Sequence, residues 1–173
     1  MNPPEFILRS IEPSDWPEVD RIQRTAFSAE AVEEIATIRR LAELAPTTCL
    51  IAVSGSEFLG YLIAHPWIAE DLPPLNVMLP GLPESAQTLF IHDLALAPEA
   101  RGRGIAPALV RAGLARAREQ GLTDASLLSI QNSSGFWCKQ GFEPRLDLAD
   151  KVRATLHQFL KTDFVFMTRE SLD

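Results

Sequence analysis

The side chains that most often carry metal or nucleophile chemistry are scarce in this chain of 173 residues, which has two cysteines, three histidines and one tyrosine. Cys49 and Cys138 stand in no metal-ligand spacing, so free thiols in a reducing compartment are expected rather than a zinc site or a disulfide framework. His65, His92 and His157 come with no Cys or carboxylate cluster at ligand spacing, and no G-x-S-x-G elbow occurs. Zinc and serine-hydrolase chemistry are thereby set aside, and no metal is expected. A basic excess is also missing. With 16 Lys and Arg against 23 Asp and Glu, the formal net charge is -7, the wrong sign for a nucleic-acid partner. No window approaches about 18 uninterrupted apolar residues. The opening Met-Asn-Pro-Pro-Glu lacks the basic and apolar regions of a signal peptide. These absences predict no membrane partner and a cytoplasmic location.

What is present reads as one domain, residues 1–173, long enough to bury its own core. Phe6 to Ile11 alternates like a short strand that Pro13 stops. Ser14 or Asp15 can cap a helix through about Phe27, with Trp16, Val19, Ile22 and Phe27 on one face. Residues 29–44 repeat that spacing at Val32, Ile35, Ile38 and Leu41, and Pro46 ends it. Cys49 to Val53 and Glu57 to His65 flank Ser54-Gly55-Ser56, the pattern of a hairpin. Residues 66–88 carry five prolines without periodicity and read as a long irregular insertion. Leu89 to Ala97 is a strand, Gly104 to Gln120 an amphipathic helix stopped by Gly121, and Asp124 to Ile130 a buried strand. Ser133 to Lys139 reads as a short helix and Phe142 to Leu148 as a strand. Ala149 to Leu160 has helical spacing, and Asp163 to Arg169 reads as a final strand. The sum is a mixed α/β (α+β) domain with one central, mostly antiparallel sheet flanked by helices.

Within it, the apolar strand Leu89 to Ala97 runs into Pro-Glu-Ala-Arg-Gly-Arg-Gly and then a helix. A helix N-terminus leaves its first N–H groups without intrahelical partners and carries about half a positive charge, so an anion can collect several donors there. Gly102 and Gly104 permit close backbone approach and positive φ, Arg101 and Arg103 add mobile charge, and Pro107 falls in the first turn, where its missing N–H costs nothing. Neither a G-x-G-x-x-G dinucleotide fingerprint nor a Gly-Lys-Ser/Thr P-loop is present.

The spacing Arg101-x-x-Gly104-x-Ala106, following Asp93 to Leu96 and Pro98, resembles the acyl-CoA pyrophosphate loop of the GNAT superfamily of N-acyltransferases. A second block, Asn132-Ser-Ser-Gly-Phe-Trp-Cys-Lys-Gln-Gly-Phe142, is similar to that family's downstream helix and its Lys-x-Gly-Phe turn. The resemblance implies a single GNAT-like domain with about seven strands and about four helices, splayed at the cofactor site. It also implies acetyl-CoA as co-substrate, with the pyrophosphate on the backbone of Gly102, Arg103, Gly104, Ile105 and Ala106 and with Arg101 as the first signature residue. The pantetheine arm would lie along Leu94, Ala95 and Leu96, where a backbone N–H faces the thioester oxygen. Asn132 matches a position whose side chain reaches the cofactor arm, and an Asn there is equally a turn former.

An alkylammonium, which in water gives up its proton only near a pH of about 10.4, cannot attack a thioester until a base takes that proton. His92 and Asp93 lie just upstream of the pantetheine segment, on opposite faces by the period of two, and either is a candidate general base. The chain departs from the family at the proton donor. Where many members have Tyr, four residues before the Gly of the Gly-Phe turn, this sequence has Trp137, whose indole supplies no usable acid proton and can only pack against the cofactor or the core. Tyr61 lies in another strand. No general acid is assigned, and transfer is expected to be direct within a ternary complex.

The expected function is therefore acetyl transfer from acetyl-CoA to a primary amine of a small molecule. Acetylation of a protein or peptide amine is the alternative within that class, and a non-catalytic acyl-CoA-binding sensor the alternative outside it. A homodimer, with the C-terminal strand exchanged or paired, is left open. Replacing Gly104 with Val, which sends a branched side chain into the space needed by the diphosphate, is expected to abolish coenzyme A binding while leaving the fold largely intact; unchanged affinity in calorimetry overturns this placement of the loop.

Overall fold

In the computed structural model, which describes residues 6–146, 154 and 164–173, the chain runs β1 (Ile7–Ser10), a 3-10 turn at Pro13–Asp15, α1 (Trp16–Ala26), α2 (Ile35–Leu44), β2 (Leu50–Ser54), β3 (Glu57–Trp67) and β4 (Thr88–Leu96). It continues with a 3-10 turn at Pro98–Ala100, then α3 (Ile105–Glu119), β5 (Asp124–Ile130), α4 (Ser134–Lys139), β6 (Glu143–Pro144) and β7 (Phe164–Arg169). The strands form one sheet in the order β1-β2-β3-β4-β5-β7-β6. Every neighbouring pair is antiparallel except β4 and β5. That parallel step requires a crossover, and α3 supplies it.

Both faces of the sheet are covered, since Leu59 to His65 of β3 are buried one after another. Leu62 faces α3, where Gly113 leaves room for it: a Cβ on Gly113 would lie 2.5 Å from the Leu62 side chain. By alternation Tyr61 then faces the opposite side. Helix α3 buries Ile105, Leu109, Val110, Leu114 and Ala117, while α1 and α2 bury Val19, Ile22, Ile38 and Leu41. Each large aliphatic side chain so buried contributes about 1.5–3 kcal/mol. At the entry to α1, Asp15 accepts from the Glu12 N–H at 2.7 Å and from both terminal nitrogens of Arg9 at 2.6 and 2.9 Å, pinning β1 to the helix start.

The architecture matches the expectation from sequence in fold class and in the order of the described elements, with two differences. The helix expected over 29–44 begins only at Ile35. Ser28 to Glu34 instead forms a turn, with the Ala31 and Val32 N–H groups bonded to the Ser28 carbonyl and the Glu33 carbonyl bonded to the Gln23 amide. Tertiary contacts override the helical spacing there. The strand expected over 142–148 is reduced to Glu143–Pro144, where Pro144 has no N–H to extend the ladder. Beyond it, the expected end at Leu148 lies outside the described residues. The helix expected over 149–160 also lies outside them, apart from Ala154.

Gly60 fixes how closely β3 approaches the part of β4 that lines the central groove. A Cβ at this position would meet the Ala95 carbonyl oxygen at 2.6 Å and the Leu96 side chain at 2.5 Å. Gly60→Ala is therefore expected to displace β4 and to destabilise the fold by about 1–3 kcal/mol. Urea denaturation measures this, and a midpoint equal to the parent's would contradict the close approach.

Candidate active site

Strand β4 has unequal neighbours. On one side it pairs with β3 from Trp67↔Thr88 to Gly60↔Leu96. On the other, its parallel pairing with β5 stops at Ile91↔Leu127. Beyond Ile91 the two strands diverge, so the backbone groups of β4 that face β5 are left for another partner. The opening is a groove of about 350 Å³, walled by Leu94, Ala95, Leu96, Phe27, Ile130 and Trp137 and reaching Arg101 and Ala106.

At the Arg101 end, Gly102 and Gly104 take φ of +76° and +75°. A Cβ on either would point into open space. Gly104 is the N-cap of α3 and makes no side-chain cap, and the Ala108 N–H bonds the Gly104 carbonyl at 3.2 Å. The amides of the turn ahead of that bond precede the helical ladder, a geometry like that of the backbone nests in which anions are held. The residues named from the sequence thus fall together in space. Trp137 is buried, packed edge-on against Phe136 and Phe142, and forms groove wall. Asn132 has a left-handed φ of +58° in the turn after β5 and is exposed, while its neighbours Gln131 and Ser133 line the groove.

A second, smaller cavity of about 180 Å³ lies beside the groove and shares Ile130 with it. His92 and Asp93 both line it. This differs from the opposite faces that strict alternation predicts, and the cause is a β-bulge: Ile63 pairs with Asp93 but Ala64 pairs with Ile91, so His92 is the extra residue.

Glu33, from the turn between α1 and α2, completes the cluster. Its Oε1 lies 2.5 Å from His92 Nε2, and its Oε2 accepts the Asn76 N–H at 2.6 Å. Asn76 belongs to the 68–87 loop and accepts the Glu34 N–H at 3.0 Å, while Arg40 holds the same loop through the Leu79 and Pro80 carbonyls. The proline-rich insertion thus roofs the cavity. Tyr61 O–H donates to Asp93 Oδ2 at 3.2 Å.

Neither Glu33 nor Tyr61 carried a sequence signal for this place. Glu33 fell within an expected helix, and Tyr61 reaches the site only through β3–β4 register. His65 is buried with its ring centroid 5.8 Å from that of His92, and His157 lies outside the described residues. Among the described residues, Glu33, His92 and Asp93 are the one group whose donor atoms all lie within metal-sharing distance of one another, 4.8 Å.

The electrostatics separate the two candidate bases. Burial opposes a charge on His92, whose side chain is 2% exposed, yet the adjacent Glu33 carboxylate overrides it and holds the imidazolium up to about 9. Glu33 is likewise held below the usual carboxylate range by His92, against its own burial. Burial pushes Asp93 up to about 7; His92 and the Tyr61 hydroxyl pull it down, and Glu33 pushes it up. At neutral pH His92 is thus a paired cation, while Asp93 is poised to take or give a proton.

A turn of left-handed glycines at the start of α3, a groove beside β4 and a roofed cavity lined by Glu30, Glu33 and Asp93 thus lie side by side. The acetyltransferase (GNAT) family model matches residues 11–142, and the chain belongs to that family and is an acyltransferase. Its fold is shared by Ard1 from Thermoplasma volcanium, with 18% identity, TM-score 0.72 and coverage of 98% of this chain and 99% of that one. It is shared by YhbS from Escherichia coli, a GNAT family N-acetyltransferase solved with CoA, with 22% identity, TM-score 0.67 and coverage of 100% and 85%. N-acetylglutamate synthase from Neisseria gonorrhoeae, solved with coenzyme A and L-arginine, matches at 16% identity and TM-score 0.68 over 98% of this chain and 34% of that one. No curated protein matches the chain in sequence. Among the described residues, no helix is long and apolar enough to cross a membrane.

The His92–Glu33 pair has a thermodynamic signature. A histidine raised from 6.5 to about 9 on folding contributes stability that is complete below pH 6.5 and is lost as pH climbs through 9. Across that window unfolding free energy should fall with a slope approaching about 1.4 kcal/mol per pH unit, the one-proton limit. His92→Gln should remove most of that slope. Parallel urea-midpoint profiles for parent and variant would show that the pair is not formed.

Proposed function

We propose that the protein transfers an acetyl group from acetyl-CoA to the primary amine of a small molecule, with Asp93 as general base. The observation that supports this most directly is the meeting of two cavities at Ile130, one ending in an anion nest and the other holding a carboxyl that titrates near neutrality. The backbone of Gly102 to Ala106 fits a diphosphate, because the left-handed glycines leave the approach open and the helix start supplies donors. The unpaired edge of β4 at Leu94, Ala95 and Leu96 fits an extended pantetheine arm, which carries amide groups that can complete a ladder. Asn132, exposed beside the groove, would meet the arm only by turning inward, and Trp137 serves as apolar wall.

In the reaction, the incoming ammonium gives one proton to the Asp93 carboxylate, and the freed nitrogen lone pair forms a C–N bond to the thioester carbon. The carbonyl oxygen takes the charge and is stabilised by a β4 backbone N–H. The C–S bond then breaks, the sulfur leaves as thiolate, and the nitrogen gives up its second proton to solvent, from which the thiolate can be neutralised. Trp137 offers that thiolate no proton, and the Tyr61 hydroxyl is engaged with Asp93 and held well above its ordinary pKa, first by burial and then by that carboxyl. Direct transfer with an unassisted thiol leaving group fits these facts. The His92–Glu33 ion pair acts by position: it fills the bulge, anchors the roof and sets the field at Asp93.

A small acceptor is supported over a peptide by the cavity's size and by its roof, which Glu33, Glu34 and Arg40 fasten to the α1–α2 side. Asp93→Asn should lower kcat by about 10²- to 10⁴-fold with little change in coenzyme A affinity. The parent's rate should rise through a limb near pH 7, the value for Asp93, and the variant's residual rate should lack it. A variant retaining the limb and a near-parent rate would remove Asp93 from the base role.

A further inference from the structure

Resting on the acetyl-transfer reading above, we infer that the acceptor is a compact, apolar primary monoamine without a carboxylate, of arylalkylamine size. The argument starts from the charges lining the cavity. Glu30, Glu33 and Asp93 line it, and the one cationic side chain among its described lining residues, His92, is already bonded to Glu33 at 2.5 Å. An ammonium entering beside Asp93 is attracted. The carboxylate of an amino acid would face like charges, with no cation among the described lining residues left to pair it, an unfavourable arrangement.

The remaining wall is apolar: Val32, Leu75, Phe90, Leu128 and Ile130. A second ammonium lying against these side chains would lose its hydration without compensation, which turns polyamines away. An aromatic or branched aliphatic body gains from the same contacts, and the Phe90 ring offers an aromatic surface. Size narrows the class further. A cavity of about 150 Å³ holds benzene, and this one measures about 180 Å³. It accommodates one six-membered ring with a short alkyl link to nitrogen. Leu75 and Asn76 close it on the loop side, with Asn76 bonded to both Glu33 and Glu34, so a continuing peptide chain finds its path obstructed there.

The test uses the full chain with acetyl-CoA and reads acetylated product by mass spectrometry for 2-phenylethylamine, phenylalanine, spermidine and a Met-Ala-Gly tripeptide with a free N-terminus. The expected result is a kcat/KM for 2-phenylethylamine roughly 100-fold or more above the other three, as the uncompensated charges imply. Leu75→Trp, which fills the space beside the ring, should shift the preference from 2-phenylethylamine towards ethylamine by about tenfold or more. Preference for phenylalanine or spermidine, or an unchanged ratio in Leu75→Trp, overturns the inference and leaves acetyl transfer to small amines standing. Preference for the tripeptide overturns the acceptor class in both readings. No product from any of the four overturns the reading on which the inference rests, and the inference with it.

Discussion

The site depends on a strand that is fully paired on one side and abandoned on the other. Because β3 holds β4 along its whole length, the divergence from β5 after Ile91 opens a rigid cleft and not a frayed edge. Hydrogen-bonding groups left over at such an edge are costly unless something pairs them. In the reading proposed above, that need becomes a binding surface, with the helix start next to it as the second anchor. Gly60 sets the distance from the other side, so core packing and the shape of the groove are the same constraint seen from two edges of one strand.

The bulge at His92 is the second consequence of that strand. One extra residue against β3 breaks the alternation and turns His92 and Asp93 into a common cavity. Their environments then push them apart: Glu33 commits His92 to the charged state, while burial leaves Asp93 undecided near neutrality. Two neighbouring residues in the chain thereby hold different protonation states at the same pH, set by a carboxylate that arrives from 59 positions away in sequence.

How much of this the residues disclosed follows from the range of the forces involved. The Gly/Arg turn, its helix and the buried strand after it are local features, written in glycine, proline and apolar spacing, and they were legible. The shape of the turn from Arg101 to Ala106 was legible for the same reason, since it is built from consecutive residues. Glu33 was not, since its segment has helical spacing that long-range bonds from Gln23, Asn76 and His92 override. The common orientation of His92 and Asp93 was hidden for a similar reason: a bulge is a property of two strands in register, and neither strand alone announces it. Tyr61, set aside for lying in another strand, meets Asp93 through that same register.

The two thiols have very different fates in this architecture. Cys49 is buried against the Ala64 carbonyl, and burial lifts its thiol to about 12, which leaves it inert to electrophiles. Cys138 is exposed on α4, one residue from the indole that walls the groove. A maleimide dye would therefore mark a single position beside the cleft, giving a fluorescent reporter of occupancy without any engineered cysteine. By the same token, disulfide-exchange reagents used to titrate released sulfhydryls would also decorate the enzyme on α4, the helix whose Trp137 walls the groove.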